Sequence, residues 1–353
     1  MKIWFEALTG KQSLLFHYLA KGLESDGHEI LFTARENDYT RSNLQRLNRE
    51  FISIGTHGGA NLKQKLIAGS ERIIKLAEIV DDFKPDLLIT FGSPDATRTA
   101  FGLGIKTIQL NDTPHARAVA KLTISLSNYV IHPKCIPEGE FSKNGISNFY
   151  GYDGVDEVLW VKQFEPDESV IYNLGLEKFN YVVLRCEETN AAYMRRLYPH
   201  IPPDSTFLVE FIPKLMHLYP DLKFVVFPRY PKQKEDLKKL NIIIPDQSVD
   251  TLNLLHFAKA SLTGGGTMGR ESALLGTPSM YTFPLEVDVS RFVRDLGFPL
   301  VHVSNPIDIL NEFCKVLNQE KMNEENRLKI LNTIETPLNA VRTILKKLKE
   351  ELK

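Results

Sequence analysis

The residues best suited to chemistry lie between positions 260 and 284. Gly264, Gly265 and Gly266 follow a short apolar run, with Thr263 and Thr267 on either side, and stand directly before a helix-forming stretch. A backbone bare of side chains at a helix start presents N–H groups at the positive end of the helix dipole, which is an anion site. Glu271 falls about one turn further on. It is too far along to serve the anion, but it can accept hydrogen bonds from hydroxyls just beyond, such as those of a ribose. The stretch is therefore expected to hold a nucleotide diphosphate.

Strand and helix patterns alternate along the whole chain. Ile3 to Leu8 reads as a strand, and Leu14, Leu15, Tyr18, Leu19 and Leu23 then recur at helical spacing. Strands follow at Glu29 to Ala34, Phe51 to Ile54, Leu87 to Phe91, Lys106 to Leu110 and Tyr129 to Ile131, with a long helix from Leu62 to Phe83. Residues 133–170, bracketed by Pro133, Pro137 and Pro166 and rich in Gly, Asn, Ser and Tyr, read as a crossover between domains. Alternation restarts at Tyr181 to Leu184. It continues through strands at Lys223 to Phe227, Ile242 to Ile244, Ala260 to Leu262, Ser279 to Thr282 and Leu300 to Val303. Such alternation gives a parallel sheet with helices on both faces, wound right-handedly. The expected fold is α/β, with two doubly wound Rossmann-like domains facing a central cleft. Residues 1–165 form the acceptor or reacting-group side, and 166–336 the nucleotide-sugar side. A C-terminal helix, 337–353, is expected to pack back on the first domain.

Ligands of such sheets bind beyond the carboxyl ends of the strands. That rule singles out the loops 9–12, 35–38, 56–59, 92–95 and 111–117. Lys11 and Gln12 head the first helix and point at the cleft, where Lys11 can neutralise a phosphate or bind an acceptor. His115, on a strand-end loop, is a candidate general base for an acceptor hydroxyl. His57, beside two glycines, is placed similarly, whereas His17 and His28 read as structural.

The totals exclude several classes. A chain of 353 residues suggests two domains. A formal net charge of −1 disfavours nucleic acid. The three cysteines, Cys135, Cys186 and Cys314, are scattered, as in a reducing compartment, and no Cys-x-x-Cys or i,i+4 His pair suggests a metal. Glu286 and Asp288 read as an acidic loop. No run is long enough to span a bilayer, and the first residues read as a strand rather than a targeting segment. A cytoplasmic protein is expected, at most peripheral to a membrane, with no tightly bound cofactor. A homodimer is compatible with these features.

Four segments carry a family resemblance: Lys11 with Gln12, Phe91 to Ala96, Asn111 to Ala116, and Thr263 to Pro278. On them the chain resembles nucleotide-sugar proteins of the GT-B type. It is similar in layout to the non-hydrolysing UDP-N-acetylglucosamine 2-epimerases and to the bacterial GlcNAc transferase that makes lipid II. More narrowly, and over nearly its whole length, it is similar to the DUF354 family. The wider resemblance implies that Glu271, spaced before Gly276, Thr277 and Pro278 as in those families, binds ribose. It likewise implies that Thr263, Gly264, Gly265, Gly266 and Thr267 hold the diphosphate.

For catalysis the resemblance implies proton-transfer roles for Asp95 and Asp112, which occupy places like those of two epimerase carboxylates. Asp95, following Pro94, equally suits a helix cap, and Asp112, before Thr113 and Pro114, equally suits a turn. The epimerases carry a His after the first strand of the second domain, where this chain has Arg185. A guanidinium there suits a leaving diphosphate, with Arg229 at the next strand end beside it. The leading expectation is a metal-independent glycosyltransferase-like enzyme using a UDP-sugar and a glycan or lipid acceptor. The alternatives are a 2-epimerase-like enzyme and a non-catalytic nucleotide-sugar binding protein.

Overall fold

The computed structural model describes residues 1–36, 38–59, 61–190, 194, 200–245 and 249–351. The chain folds as two compact units, Met1–Trp160 with Ile334–Lys353, and Val161–Thr333.

Among the described residues the first unit is built on seven parallel strands: β1 (Lys2–Ala7), β2 (Glu29–Ala34), β3 (Ile52–Ser53), β4 (Leu87–Thr90), β5 (Lys106–Leu110), β6 (Tyr129–Pro133) and β7 (Asn148–Tyr152). Their order is β3-β2-β1-β4-β5-β6-β7. Residues of β1 and β4 are buried on both faces, as a parallel sheet covered by helices demands. Phe5 of β1 lies between Phe32 and Ile89 of its neighbours. The chain winds outward from β1 to β3 and then restarts on the other side at β4, so the crevice between the ends of β1 and β4 is the switch point where ligands bind such sheets. Two capped helices begin there. Thr9 caps Gly10–Ser25 by accepting from the Gln12 amide, and Ser93 caps Pro94–Gly102 by accepting from that of Ala96.

In the first unit the departure from the sequence reading is a strand. The segment expected to be crossover contains β7, paired with β6 along five positions. Asn148 and Gly151 weaken its strand signal. Gly151 is needed because a Cβ there would stand 2.8 Å from Lys134 Cγ. The C-terminal helix Pro337–Glu351 packs on β6, β7 and the helix Gly10–Ser25. Arg342 pairs with Asp26 at 2.7 Å, and Leu338 fills the space beside Gly22, whose Cβ would stand 2.6 Å from it.

The second unit carries β8 (Tyr181–Arg185), β9 (Lys223–Phe227), β10 (Ala260–Thr263), β11 (Ser279–Tyr281) and β12 (Leu300–His302), in the order β12-β11-β10-β8-β9 and all parallel. Ile243 makes only an isolated bridge to Val225 in place of the expected strand. Leu184, Val226 and Leu262 pack with Phe211 and Phe313 into one buried core. Burying each such side chain contributes about 1.5–3 kcal/mol. Here the switch point falls between β8 and β10, beyond Arg185 and Thr263. Among the described residues, no helix is long and apolar enough to cross a membrane.

Candidate functional site

The glycine turn leaves β10 at this switch point. Gly264 N–H donates to the Arg185 carbonyl at 2.9 Å, which holds the ends of β8 and β10 side by side. A Cβ on Gly264 would stand 2.5 Å from Glu187 Cα and 2.7 Å from its nitrogen, so only glycine fits. Thr263 Oγ1 donates to the Gly265 carbonyl at 2.7 Å and fixes the turn from below. The helix Gly266–Leu274 then starts with Gly265 as its N-cap and no side-chain cap, which leaves its first amides to another acceptor.

Two guanidinium groups border these amides. Arg229 Nη2 lies 3.4 Å from where a Gly265 Cβ would be. It is held there by bonds from Nε to the Cys186 carbonyl, 2.8 Å, and from Nη1 to Glu188, 3.1 Å. Tyr230 donates to the same Glu188 carboxylate. Arg270, buried, folds back over the turn, with Nη1 2.6 Å from a Gly266 Cβ and 3.1 Å from Ser290 Oγ, and Nη2 3.5 Å from Thr267 Oγ1. Arg185 is the last residue of β8 and stands beside Thr263 in the sheet. Glu271 is buried within the same helix. The arrangement is a set of fixed N–H dipoles bordered by two guanidinium groups, which can hold a phosphate or diphosphate.

Gln233 braces this border. Its side-chain oxygen accepts from the Arg229 amide at 2.8 Å, and its nitrogen donates to the Ser205 carbonyl at 2.7 Å. Beneath it Glu187 accepts from Thr206 Oγ1 at 2.6 Å and from the Phe207 amide at 3.0 Å. Burial pushes the Glu187 carboxyl up, against these bonds.

In the first unit the structure brings Lys11 and Asp112 together. Lys11 Nζ lies 2.5 Å from Asp112 Oδ2, 2.8 Å from Asp156 Oδ2 and 3.9 Å from Glu157 Oε1, and 4.7 Å from the centre of the Phe91 ring. Tyr152, at the end of β7, donates to Asp156 Oδ1 at 2.7 Å. One ammonium thus serves three buried carboxyl groups. Burial raises the Asp156 carboxyl, Lys11 opposes this, and Asp112 and Glu157 add to it. Burial thus works against ionisation of Asp156.

Asp112 is presented by a turn in which Asn111 Oδ1 accepts from the Thr113 amide at 2.8 Å. His115 is exposed on that loop. Partial desolvation of its ring lowers its pKa, and Asp112 works the other way. Gln12 is spent on the backbone: it accepts from the Leu8 amide at 2.6 Å and reaches the Phe91 carbonyl at 3.4 Å, bridging β1 to β4.

Asp95 has different company. Its Oδ2 accepts from Arg72 Nε at 2.8 Å, and Arg72, fully buried, also binds Glu6 and the Ile54 carbonyl. Thr33 donates to Glu6 in turn. Burial, its largest influence, raises the Glu6 carboxyl in spite of Arg72. Asp95 is thus engaged in an ion pair with Arg72, while Asp112 is engaged with Lys11.

Asp156, Glu157, Tyr152, Arg72 and Arg270 escaped the sequence reading. A signal for the first three lay in Tyr152 and Asp156, four apart just after a strand end, once β7 is recognised as a strand.

The protein-family model described as "Protein of unknown function (DUF354)" matches residues 1–348. The uncharacterized protein MJ0665 of Methanocaldococcus jannaschii is 31% identical over 317 residues, 88% of this chain and 90% of its own. The UDP-GlcNAc 2-epimerase of Neisseria meningitidis, solved bound to UDP-GlcNAc, superposes with a TM-score of 0.72 at 16% identity, covering 99% of this chain and 100% of that one. The spinosyn forosaminyltransferase SpnP does so with a TM-score of 0.59 at 13% identity, covering 99% of each chain. The fold is therefore α/β of the GT-B kind, shared by epimerases and glycosyltransferases. With its family model matched from the first residue to Leu348, the chain belongs to the DUF354 family.

Proposed function

We propose that this protein is a GT-B-type enzyme that takes a nucleotide sugar, UDP-linked, and passes the sugar to an acceptor hydroxyl on a glycan or lipid. The observation that carries the reading is the uncapped helix start at Gly265 and Gly266, at the switch point of the second sheet, bordered by Arg229 and Arg270. Thr263, Gly264, Gly265, Gly266 and Thr267 frame the diphosphate, Arg185 and Arg229 steady its charge as it leaves, and Glu271 takes the ribose hydroxyls. This is a metal-independent arrangement in which fixed dipoles and guanidinium groups stabilise the leaving group. The N. meningitidis epimerase of the same fold was solved with UDP-GlcNAc, which supports the choice of nucleotide.

Transfer is favoured over epimerisation by the state of the carboxylates. Epimerisation at a sugar carbon needs two acid–base groups, and Asp95 and Asp112 are each engaged by a cation, Arg72 and Lys11 respectively. His115, exposed and kept toward its neutral form, suits the single base that transfer to a hydroxyl requires. The epimerase reading has one observation of its own: the Asp112 and Asp156 carboxyl groups both contact the Lys11 ammonium.

Incubation with UDP-GlcNAc and a panel of acceptors separates these readings. Free UDP without the 2-epimer supports transfer. The 2-epimer in place of transfer supports the second reading. Tight binding with neither product identifies a nucleotide-sugar binding protein.

A further inference from the structure

Arg229 brings a carboxylate with it to the glycine turn. Its three side-chain nitrogens have different neighbours. Nε donates to the Cys186 carbonyl at 2.8 Å, Nη1 donates to Glu188 Oε2 at 3.1 Å, and Nη2 lies by Gly265. The other oxygen of Glu188 accepts from the Tyr230 hydroxyl, whose own oxygen accepts from the Asn190 amide at 3.2 Å. Burial, with Glu188 adding to it, holds the Tyr230 phenol above its ordinary range, so it remains a donor. Glu188 is thus held at both oxygens, with one guanidinium between it and the turn.

Neither orientation nor stability accounts for a charged residue here. The Arg229 guanidinium is already anchored by a neutral carbonyl, and its backbone amide by Gln233. With side chains 25% and 37% exposed, Arg229 and Glu188 form a partly exposed ion pair, which contributes little to stability. A carboxylate beside an anion site opposes binding, and opposes it more as the anion gains charge. In transfer the acceptor oxygen bonds to C1 of the sugar and the bond from C1 to the β-phosphate oxygen breaks. The electron pair of that bond stays on the phosphate, and the hydroxyl proton passes to the base. UDP therefore leaves with one more negative charge than it carried in the UDP-sugar. The dipoles and cations that stabilise this charge also hold back the product.

We propose that Glu188 offsets part of the Arg229 charge so that UDP, the more highly charged of the two nucleotides, is released after transfer. The proposal rests on the nucleotide-sugar reading of the site. Calorimetric titration with UDP and with UDP-GlcNAc, and stopped-flow displacement of UDP, test it on the wild-type chain, Glu188→Gln and Glu188→Ala. Both variants bind UDP about tenfold tighter and UDP-GlcNAc only about threefold tighter, and the difference from wild type shrinks at high salt. Both release UDP more slowly, with Tm unchanged. If Glu188 served only to orient Arg229, Glu188→Ala would weaken UDP binding and Glu188→Gln would leave it as it is. Either of those results, or equal tightening of both nucleotides, overturns the proposal and leaves the nucleotide-sugar reading standing. A wild-type chain that does not bind UDP overturns both.

Discussion

Lys11 Nζ lies 2.5 Å from Asp112 Oδ2 and so ties the first turn of the helix Gly10–Ser25 to the loop after β5. The same ammonium holds Asp156, and the two carboxylates are almost wholly buried while Lys11 is mostly so. Removing the cation strands carboxylates that desolvation already penalises. Lys11→Met is expected to lower stability by about 3–5 kcal/mol in urea denaturation. Adding Asp156→Asn recovers much of the loss, because it removes one uncompensated charge. A loss below about 1 kcal/mol would mean that the cluster behaves as a surface ion pair.

The glycine turn makes a steric prediction. A methyl group on Gly264 meets the Glu187 backbone, which cannot swing aside, whereas one on Gly265 meets only the far end of Arg229 at 3.4 Å. Gly264→Ala is expected to cost about 1–3 kcal/mol. Gly265→Ala should leave thermal stability nearly unchanged, its φ of −148° being open to any residue. Equal Tm values for the two variants would show that Gly264 is not held against Glu187.

His115 is assigned to the acceptor and not to the nucleotide. His115→Gln should lower kcat for transfer by roughly 100-fold or more while UDP affinity stays the same. Unchanged turnover would move acceptor activation to another residue. A parallel loss of UDP binding would show that the substitution disturbs more than the base.

Two histidines make stability depend on acid. Burial, aided by neighbouring cations, pulls His17 and His256 from 6.5 to about 4. Arg49 and Lys21 press on the first, and Lys321 and Arg327 on the second. The unfolded chain takes up protons that the folded chain refuses, so their contribution is complete above about 6.5 and is lost as pH falls toward about 4. Tm should fall on acidification from neutral pH through this window. His17→Gln and His256→Gln should each flatten the slope. An unaltered slope in both variants would place the acid sensitivity elsewhere.

What the sequence disclosed follows from periodicity. Apolar runs such as Leu87 to Phe91 and Lys223 to Phe227 announce buried parallel strands, and the strand-end rule directs attention to Lys11, Asp112 and the glycine turn. What it concealed depends on contacts between distant positions. Nothing local to Arg72 says that it will be buried between Glu6 and Asp95. Asp156 and Glu157 were hidden because β7, with Asn148 and Gly151, has the composition of a loop and becomes a strand only by pairing with β6. Arg270 is a further case: its place over Gly266 comes from the helix turning it back toward Ser290, which lies twenty residues on.

The central claim is that the turn at Gly264 to Gly266 binds the diphosphate of UDP with Glu271 on the ribose, and calorimetric titration of UDP into the wild-type chain and the Glu271→Ala variant tests it most directly. Saturable binding to the wild type, weakened by about 1.5–3 kcal/mol in the variant, is the expected result. No UDP binding by the wild type, or equal binding by both, would contradict it.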